Sequence, residues 1–420
     1  MNTSSDSTEL TDAECELLQR LRATPEIFEL MTDGGASELA VQKILRSRFD
    51  DDLVRMALTV ADARKKARGQ LPHAERLWLT RVGLEQCTAW DVAQHKARRF
   101  HESVDVFDLC CGIGVDASHL AALTSTIAMD TLPAMCLRTA WNAEIWQPDS
   151  RLQTECRDIT TVDWTGKIVH VDPDRRAGGD RPTKRLELYQ PDLTWMQNLN
   201  RTAAGGAIKI SPASNFLQKF PGCEIELISL NGECREATVW FGSLAGPHAF
   251  RATSLPSGES ISADPLSAWT NTTETVGAFL LDPDPAIVRS GLLDVMAEQY
   301  GLLRLDAEEE YLTTDSVPST AFVTPFQVEC VLPYNLKDLK RYLRTAPSRH
   351  YEIKCRRIPT DADVVRRQLP TGEGEPRVIV IARCGKRSHI VVTRRLPSGI
   401  SCSFSLGEKV AVRPDEGLAR

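Results

Sequence analysis

The chain has twelve cysteines but no CxxC pair, and most of them, such as Cys330 and Cys384, sit in apolar contexts. That spacing excludes a zinc ribbon or finger and argues against a disulfide frame, so buried free thiols in a cytoplasmic protein are expected. No His/Cys cluster calls for a metal. No apolar run approaches the roughly 20 residues needed to span a bilayer, so no membrane partner is expected. The N-terminus, MNTSSDSTELTDAE, is polar and acidic, unlike a signal peptide. An excess of positive charge is also missing. With 50 Lys and Arg against 57 Asp and Glu the net is −7, so no global basic field draws nucleic acid. What is present is ordinary for soluble proteins: 42% hydrophobic and 25% charged residues over 420 positions. That length holds about two to three domains, with ample core.

The stretch 104–117, VDVFDLCCGIGVDA, organises the chain. Val104, Val106, Phe107 and Leu109 suit a buried parallel strand. Gly112-Ile113-Gly114 follows, and then Val115, His119, Leu120, Ala122 and Leu123 recur at helical spacing. This reads as strand, glycine turn, helix, with a ligand expected at the carboxyl end of the strand. Glycines carry no Cβ and let the backbone approach that ligand. Gly112-x-Gly114-x-x-Ala117 satisfies the looser dinucleotide fingerprint. Asp108, four residues before Gly112, suits a cationic ligand head better than a pyrophosphate.

With D-x-x-x-G-x-G in place, the chain resembles the class I S-adenosylmethionine-dependent methyltransferases. The resemblance implies a doubly wound α/β, seven-stranded Rossmann-like sheet. It implies S-adenosyl-L-methionine as cofactor, with Asp108, Cys110, Gly112 and Gly114 around its methionine end. Adjacent Cys110 and Cys111 otherwise read as small turn residues rather than redox partners. The lead-in 76–100, RLWLTRVGLEQCTAWDVAQHKARRF, resembles the trimethylguanosine-synthase-like branch, where a similar helix helps close the cofactor site. Thr88 or Asp91 is expected to cap that helix, and His95 reads as a packing or surface residue.

The second strand, Thr126-Ile127-Ala128-Met129, ends at Asp130, 22 residues after Asp108. An acid there accepts bonds from both ribose hydroxyls, and Leu132 would flank the adenine. A third short strand over 152–156 precedes Asp158, to which the resemblance gives the adenine amino group. The fourth, Ile168-Val169-His170-Val171, runs into Asp172-Pro173-Asp174-Arg175-Arg176, and proline takes the chain out of the sheet at the ligand edge. Amino-group methyltransferases have a polar residue, Pro-Pro and an aromatic here. This chain keeps Asp172 and Pro173 and has Asp174 and Arg175 in the other two places. That departure speaks against base N-methylation while leaving the cofactor site intact. The expected catalytic set is Asp172 to orient the acceptor, Pro173, Asp174 as proton acceptor, and Arg175. Arg175 and Arg176 either grip a phosphate or stack on a base, or pair with Asp174 and Asp180. One helix is expected over 186–199. Further strands follow near 206–210, 223–229 and 236–240, the last two forming a closing hairpin.

Residues 1–75 read as a helical unit, with disorder over 1–8 and a capping box at Thr11-Asp12-Ala13-Glu14. The methyltransferase domain is placed at 76–242. Residues 243–275, rich in Ser, Thr, Pro and Gly, read as a linker within an accessory segment 243–335 that holds a helix over 287–303. In the last stretch, 336–420, charge changes sign. Between Lys337 and Arg395 there are 16 Lys and Arg against 6 Asp and Glu, a net of +10. Such segregation is a footprint for phosphate backbones. YEIKCRR, DADVVRRQL and VIVIARCGKRSHIVVTRR resemble the α+β THUMP-like domain joined to bacterial methyltransferases, and true THUMP domains bind RNA. The expectation is a methyltransferase acting on tRNA or rRNA held by this basic domain. The rivals are a binding protein with a degenerate motif and a methyltransferase of protein or small molecules.

Overall fold

The computed structural model describes residues 3–32, 37–103, 105–176 and 182–396. Two compact units result: Met1–Trp269 with Asp284–Glu298, and Thr270–Pro283 with the chain from Gln299 onward.

The first unit opens with helices α1 (Thr3–Arg22), α2 (Glu26–Thr32), α3 (Glu38–Arg48) and α4 (Asp51–Ala67). Ser37 and Asp50 cap α3 and α4 by accepting from Ala40 N–H and Leu53 N–H, each cap worth about 1 kcal/mol. The apolar stripe of α4 (Leu53, Val54, Ala57, Val60) buries with Leu18, Leu21, Ile27 and Leu45 against Trp78, Ala134 and Trp141. Helix α1 starts at Thr3, where polarity predicts disorder over 1–8. No Pro or Gly interrupts residues 3–22, so the helix runs straight through the expected capping box. Residues 1–2 lie outside the described residues.

Next come α5 (Arg81–Gln86), α6 (Trp90–Ala97), β1 (Asp105–Leu109), α7 (Val115–Ala121), β2 (Ser125–Asp130), α8 (Pro133–Trp146), β3 (Leu152–Cys156) and β4 (Ile168–Val171). Val104, expected in β1, lies outside the described residues. The rest of the unit is α9 (Leu193–Thr202), β5 (Gly205–Ile210), β6 (Glu224–Leu230), β7 (Glu233–Gly242), β8 (Phe250–Leu255), β9 (Glu259–Ala263), α10 (Pro285–Ser290) and α11 (Leu293–Gln299). The described strands order as β3-β2-β1-β4-β5-β7-β6-β8-β9. The first five are parallel, and β7 is antiparallel to both neighbours. Seven of these strands make the expected sheet. The stretch read as a linker adds two more, because Phe250–Leu255 pairs parallel with β6 and antiparallel with β9. Ser and Thr in that stretch suit strands as well as loops.

Two expected helices are broken. The one over 186–199 becomes a 3₁₀ turn at Leu186–Leu188 and α9, which starts after Pro191 with Asp192 accepting from Trp195 N–H. The one over 287–303 stops at Gly291, whose φ of +76 ends α10, and resumes as α11.

The second unit comprises β10 (Phe279–Pro283), β11 (Leu303–Arg304), β12 (Leu312–Thr314), β13 (Val323–Pro333), α12 (Leu336–Thr345), β14 (Tyr351–Cys355), α13 (Ala362–Arg367), β15 (Arg377–Cys384) and β16 (Arg387–Arg395). Its strands order as β11-β12-β10-β13-β16-β15-β14. Strand residues alternate between faces. Ile379 and Ile381 pack with Leu339, Leu343, Val365 and Leu369 of the helical layer, while Val378 and Val380 pack with Leu280, Tyr311 and Phe326.

Candidate cofactor and acceptor site

The parallel order β3-β2-β1-β4-β5 turns back on itself between β1 and β4, and a cavity of about 560 Å³ opens at the carboxyl ends there. Asp108, Cys110, Gly112, Asp130, Leu132, Asp158, Asp172, Pro173, Asp174 and Arg175 all line it. Of the expected residues, Gly114 alone does not. Its φ is +83 and an added Cβ would stand 2.9 Å from Thr139 of α8, so this glycine lets the turn close on the helix. Gly112, at φ +57, is different. A Cβ there would meet no protein atom within 4 Å and would project into open space. Cys110 takes the left-handed conformation without being glycine, at φ 65. Burial pushes the Cys110 thiol well above its ordinary pKa, which keeps it neutral.

Asp108 is 1% exposed. Its Oδ1 lies 2.6 Å from His170 Nδ1, while Oδ2 has no hydrogen-bond partner among the described residues. Burial raises its pKa against the effect of His170. Asp130 accepts from Gly112 N–H at 3.1 Å and Leu132 N–H at 3.0 Å, which fixes the carboxylate and leaves further lone pairs. Asp158 is exposed and accepts from Thr160 N–H at 2.9 Å and Thr160 Oγ1 at 2.6 Å, bonds that lower its pKa.

Asp172 extends β4, its N–H donating to Leu109 O. Lys209 Nζ on β5 donates to Asp172 Oδ2 at 2.7 Å and to Gln86 O at 2.9 Å. Burial works to lower the Lys209 pKa, but Asp172, Glu236 and Asp116 outweigh it and keep the lysine charged. Asp174 Oδ1 accepts from Gln86 Nε2 at 2.8 Å and Arg176 N–H at 2.9 Å. The Arg176 guanidinium pairs with Glu85 at 3.0 Å, not with Asp174. Asp180, its other expected partner, lies outside the described residues, as do 177–179. Arg175 reaches the cavity with no side-chain partner among the described residues.

Behind the cavity stands a buried charge cluster that sequence reasoning missed. Lys96 Nζ, 1% exposed, meets Asp116 Oδ1 at 3.0 Å, Glu236 Oε1 at 2.7 Å and His170 Nε2 at 3.2 Å. Thr88 does not cap α6. Its hydroxyl donates to Asp116 Oδ2 at 2.5 Å, and Ala89 is the capping residue, without a side-chain bond. His95 bonds the buried Glu226 at 2.8 Å. Polar residues inside a strand or on a helix face of a parallel-sheet protein need partners; His170 between two valines was the available signal.

In the second unit the positive charge is largely spent internally. Arg356 pairs with Asp282 and Glu310 at 2.6 Å each, Arg377 with Glu329 at 2.6 Å, and Arg394 with the same glutamate. Lys354, Arg357, Arg383 and Arg395 pair with Asp282, Glu310, Glu308 and Glu352. The unit as a whole carries +3, because 270–283 bring −2, 299–336 bring −5, and the residues after 395 balance. Lys337, Arg344, Arg349, Arg367, Lys386 and Arg387 are exposed and have no carboxylate partner among the described residues.

A Rossmann-like sheet with carboxylates at four successive strand ends around one cavity defines a nucleoside-cofactor site of the methyltransferase kind. Comparisons agree. The chain is 32% identical over 362 residues to Mycobacterium tuberculosis proteins, from strains H37Rv and CDC 1551, named as uncharacterised S-adenosylmethionine-dependent methyltransferases; the match covers 83% of this chain and 98% of theirs. A crystal structure of a candidate methyltransferase from Porphyromonas gingivalis W83 has the same fold, with a TM-score of 0.70 at 17% identity, covering 93% of this chain and 99% of that one. Residues 323–395 match the family model for the THUMP domain-like region. The chain therefore belongs to the S-adenosylmethionine-dependent methyltransferases and carries a C-terminal THUMP-like domain.

The residues fit that methyl donor. The unpartnered Oδ2 of Asp108 offers a buried anionic acceptor to an ammonium, and the open space at Gly112 admits a close ligand. Among the described residues no helix is long and apolar enough to cross a membrane, and no His, Cys, Asp and Glu grouping suits a metal ion.

Proposed function

We propose that the protein methylates an RNA, tRNA or rRNA, with the methyl donor in the cavity at the β1–β4 switch point and the RNA held by the THUMP-like domain. When bound, S-adenosylmethionine supplies a sulfonium-borne methyl group for in-line displacement. In this reading Asp108 Oδ2 takes the ammonium of the donor, with Cys110 and Gly112 lining the same end. Asp130 accepts from the ribose hydroxyls, Leu132 covers the adenine, and Asp158 accepts from the adenine amino group. Gly114 supports the turn through its contact with α8.

Asp172 orients the acceptor. Lys209 occupies its Oδ2, so the remaining oxygen, Oδ1, is the one to accept a bond from a donor group on the substrate. Pro173 turns the chain outward at the cavity wall, and Asp174 is the nearby proton acceptor. Arg175, uncommitted among the described residues, suits a phosphate or a base face. The RNA reading is supported by the exposed cations of the second unit that have no carboxylate partner among the described residues, Lys337, Arg344 and Arg367 among them, rather than by its arginines already paired to acids. A cytoplasmic site of action belongs to the same reading.

The single observation that carries the cofactor assignment is a cavity lined by four strand-end acids, one of which, Asp108, has a buried oxygen that meets no donor among the described residues. Incubation with methyl-labelled cofactor and total bacterial RNA tests the whole reading. Label transfer that Asp172→Ala abolishes is expected. Cofactor or RNA binding without transfer would instead favour the non-catalytic rival, which the engagement of Asp174 Oδ1 by Gln86 keeps in view. Transfer to lysate protein and not RNA would redirect the acceptor.

A further inference from the structure

We propose that His170, anchored by Lys96, is a positioning residue for Asp108, fixing one carboxylate oxygen so that the other is presented, charged, to the cavity. The proposal rests on reading that cavity as the cofactor site. His170 and Asp108 are register partners on the parallel strands β4 and β1, and each is 1% exposed. The imidazole bridges two groups: Asp108 Oδ1 at Nδ1, 2.6 Å away, and Lys96 Nζ at Nε2, 3.2 Å away.

The tautomer follows from the lysine. An ammonium has three donors and no acceptor. Lys96 meets three acceptors, Asp116 Oδ1, Glu236 Oε1 and His170 Nε2. Asp116 and Asp108 draw the ring toward a second proton against burial and Lys96, but the ammonium 3.2 Å from Nε2 offers only donors, so Nε2 accepts, the ring proton sits on Nδ1, and it points at Asp108. Asp108 spends Oδ1 on that bond and keeps Oδ2 free of donors among the described residues.

The charged groups facing this pair come from every side. Lys96 stands on α6, Asp116 on α7, Glu236 on β7, Lys209 on β5 and Asp172 at the end of β4. Burial and the acids Asp116 and Asp172 favour a proton on Asp108, and the bond from His170 opposes it. Without that bond Asp108 would take up a proton at a higher pH, and a neutral carboxyl offers an ammonium no charge. His170 thus sets the pH range over which the donor is held, through a residue that itself never reaches the ligand.

Two substitutions separate this role from mere packing. His170→Asn keeps a donor where Nδ1 was, and His170→Leu removes it. Cofactor affinity is measured by calorimetry from weakly acid to weakly basic pH for wild type and both variants. Wild type should lose affinity as pH falls. His170→Leu should bind about tenfold more weakly at neutral pH, with its loss of affinity beginning at a higher pH. His170→Asn should restore the wild-type profile. A uniform drop in His170→Leu with the inflection unmoved overturns the proposal.

The histidine tautomer of the cofactor-free protein, read by ¹⁵N NMR, gives an independent answer even if the leucine variant does not fold. A proton on Nδ1 supports the proposal, and one on Nε2 overturns it. If the wild type binds no S-adenosylmethionine at any pH, the cofactor reading fails, and the tautomer still decides whether His170 holds Asp108.

Discussion

The two units use charge in opposite ways. In the first, Lys96, Glu236 and His170 are packed behind the cavity with Asp116 at its wall, bonded to one another, and the set ends at Asp108, one of whose carboxylate oxygens has no donor among the described residues. In the second, arginines and lysines stand at or near the surface and close on acids of the same unit, Arg356 on Asp282 and Glu310, Arg383 on Glu308. A stretch with a net of +10 becomes a unit with +3. A linear charge count therefore overstated one field, and it carries no trace of the buried Asp108 oxygen that lacks a donor among the described residues. Burial is the difference: the interior leaves an unmatched group exposed to cost, whereas the surface screens it.

The contrast can be broken first at Lys96. Lys96→Met removes the partner of two buried acids, and urea unfolding should show a loss of about 3–5 kcal/mol. A loss under about 1 kcal/mol would mean that the cluster is not closed as described. Next is Glu226. Burial works against its charge, but bonds and fields from His95, Arg99 and Thr253 outweigh it and hold its pKa at about 2, below the ordinary 4.5. A lowered carboxylate pKa stabilises the fold above the ordinary value, and that contribution drains away as pH falls toward about 2, on the order of 3 kcal/mol in all. Glu226→Gln should flatten stability against pH across that window.

The second unit sharpens the comparison with smaller effects. If it holds RNA through its uncommitted cations, Lys337→Ala and Arg344→Ala should each reduce the slope of log affinity against log salt by about 1. Arg383→Met, which breaks only an exposed pair with Glu308, should leave that slope alone and change stability by less than about 1 kcal/mol.

Much of the first unit was legible because its signals are local. The acids at or just past the ends of β1, β2 and β3, Asp108, Asp130 and Asp158, and the glycine turn between β1 and α7 each lie within a few residues of their strand in sequence. Their convergence on one cavity follows from parallel strands whose carboxyl ends all point one way. The N-terminal helices and the strands at 351–355 and 377–395 were readable from apolar spacing for the same reason. Lys96, Asp116, His170, Lys209 and Glu236 were not, since they come from five different elements and only the fold brings them together. The β8–β9 hairpin was hidden by a Ser- and Thr-rich composition that pairs as well as it loops. The charge of the C-terminal stretch misled because four of its partners, Asp282, Glu308, Glu310 and Glu329, precede it in the chain.

If the methyl donor is held by the Asp108 carboxylate, calorimetric titration of S-adenosylmethionine into wild type and Asp108→Asn at neutral pH tests this most directly. The asparagine oxygen can still accept from His170, so the unfolding midpoint should hold. Loss of the charge toward the cavity should weaken binding about 10- to 100-fold. Affinity in the variant within about threefold of wild type, or no binding heat in wild type, would contradict the account.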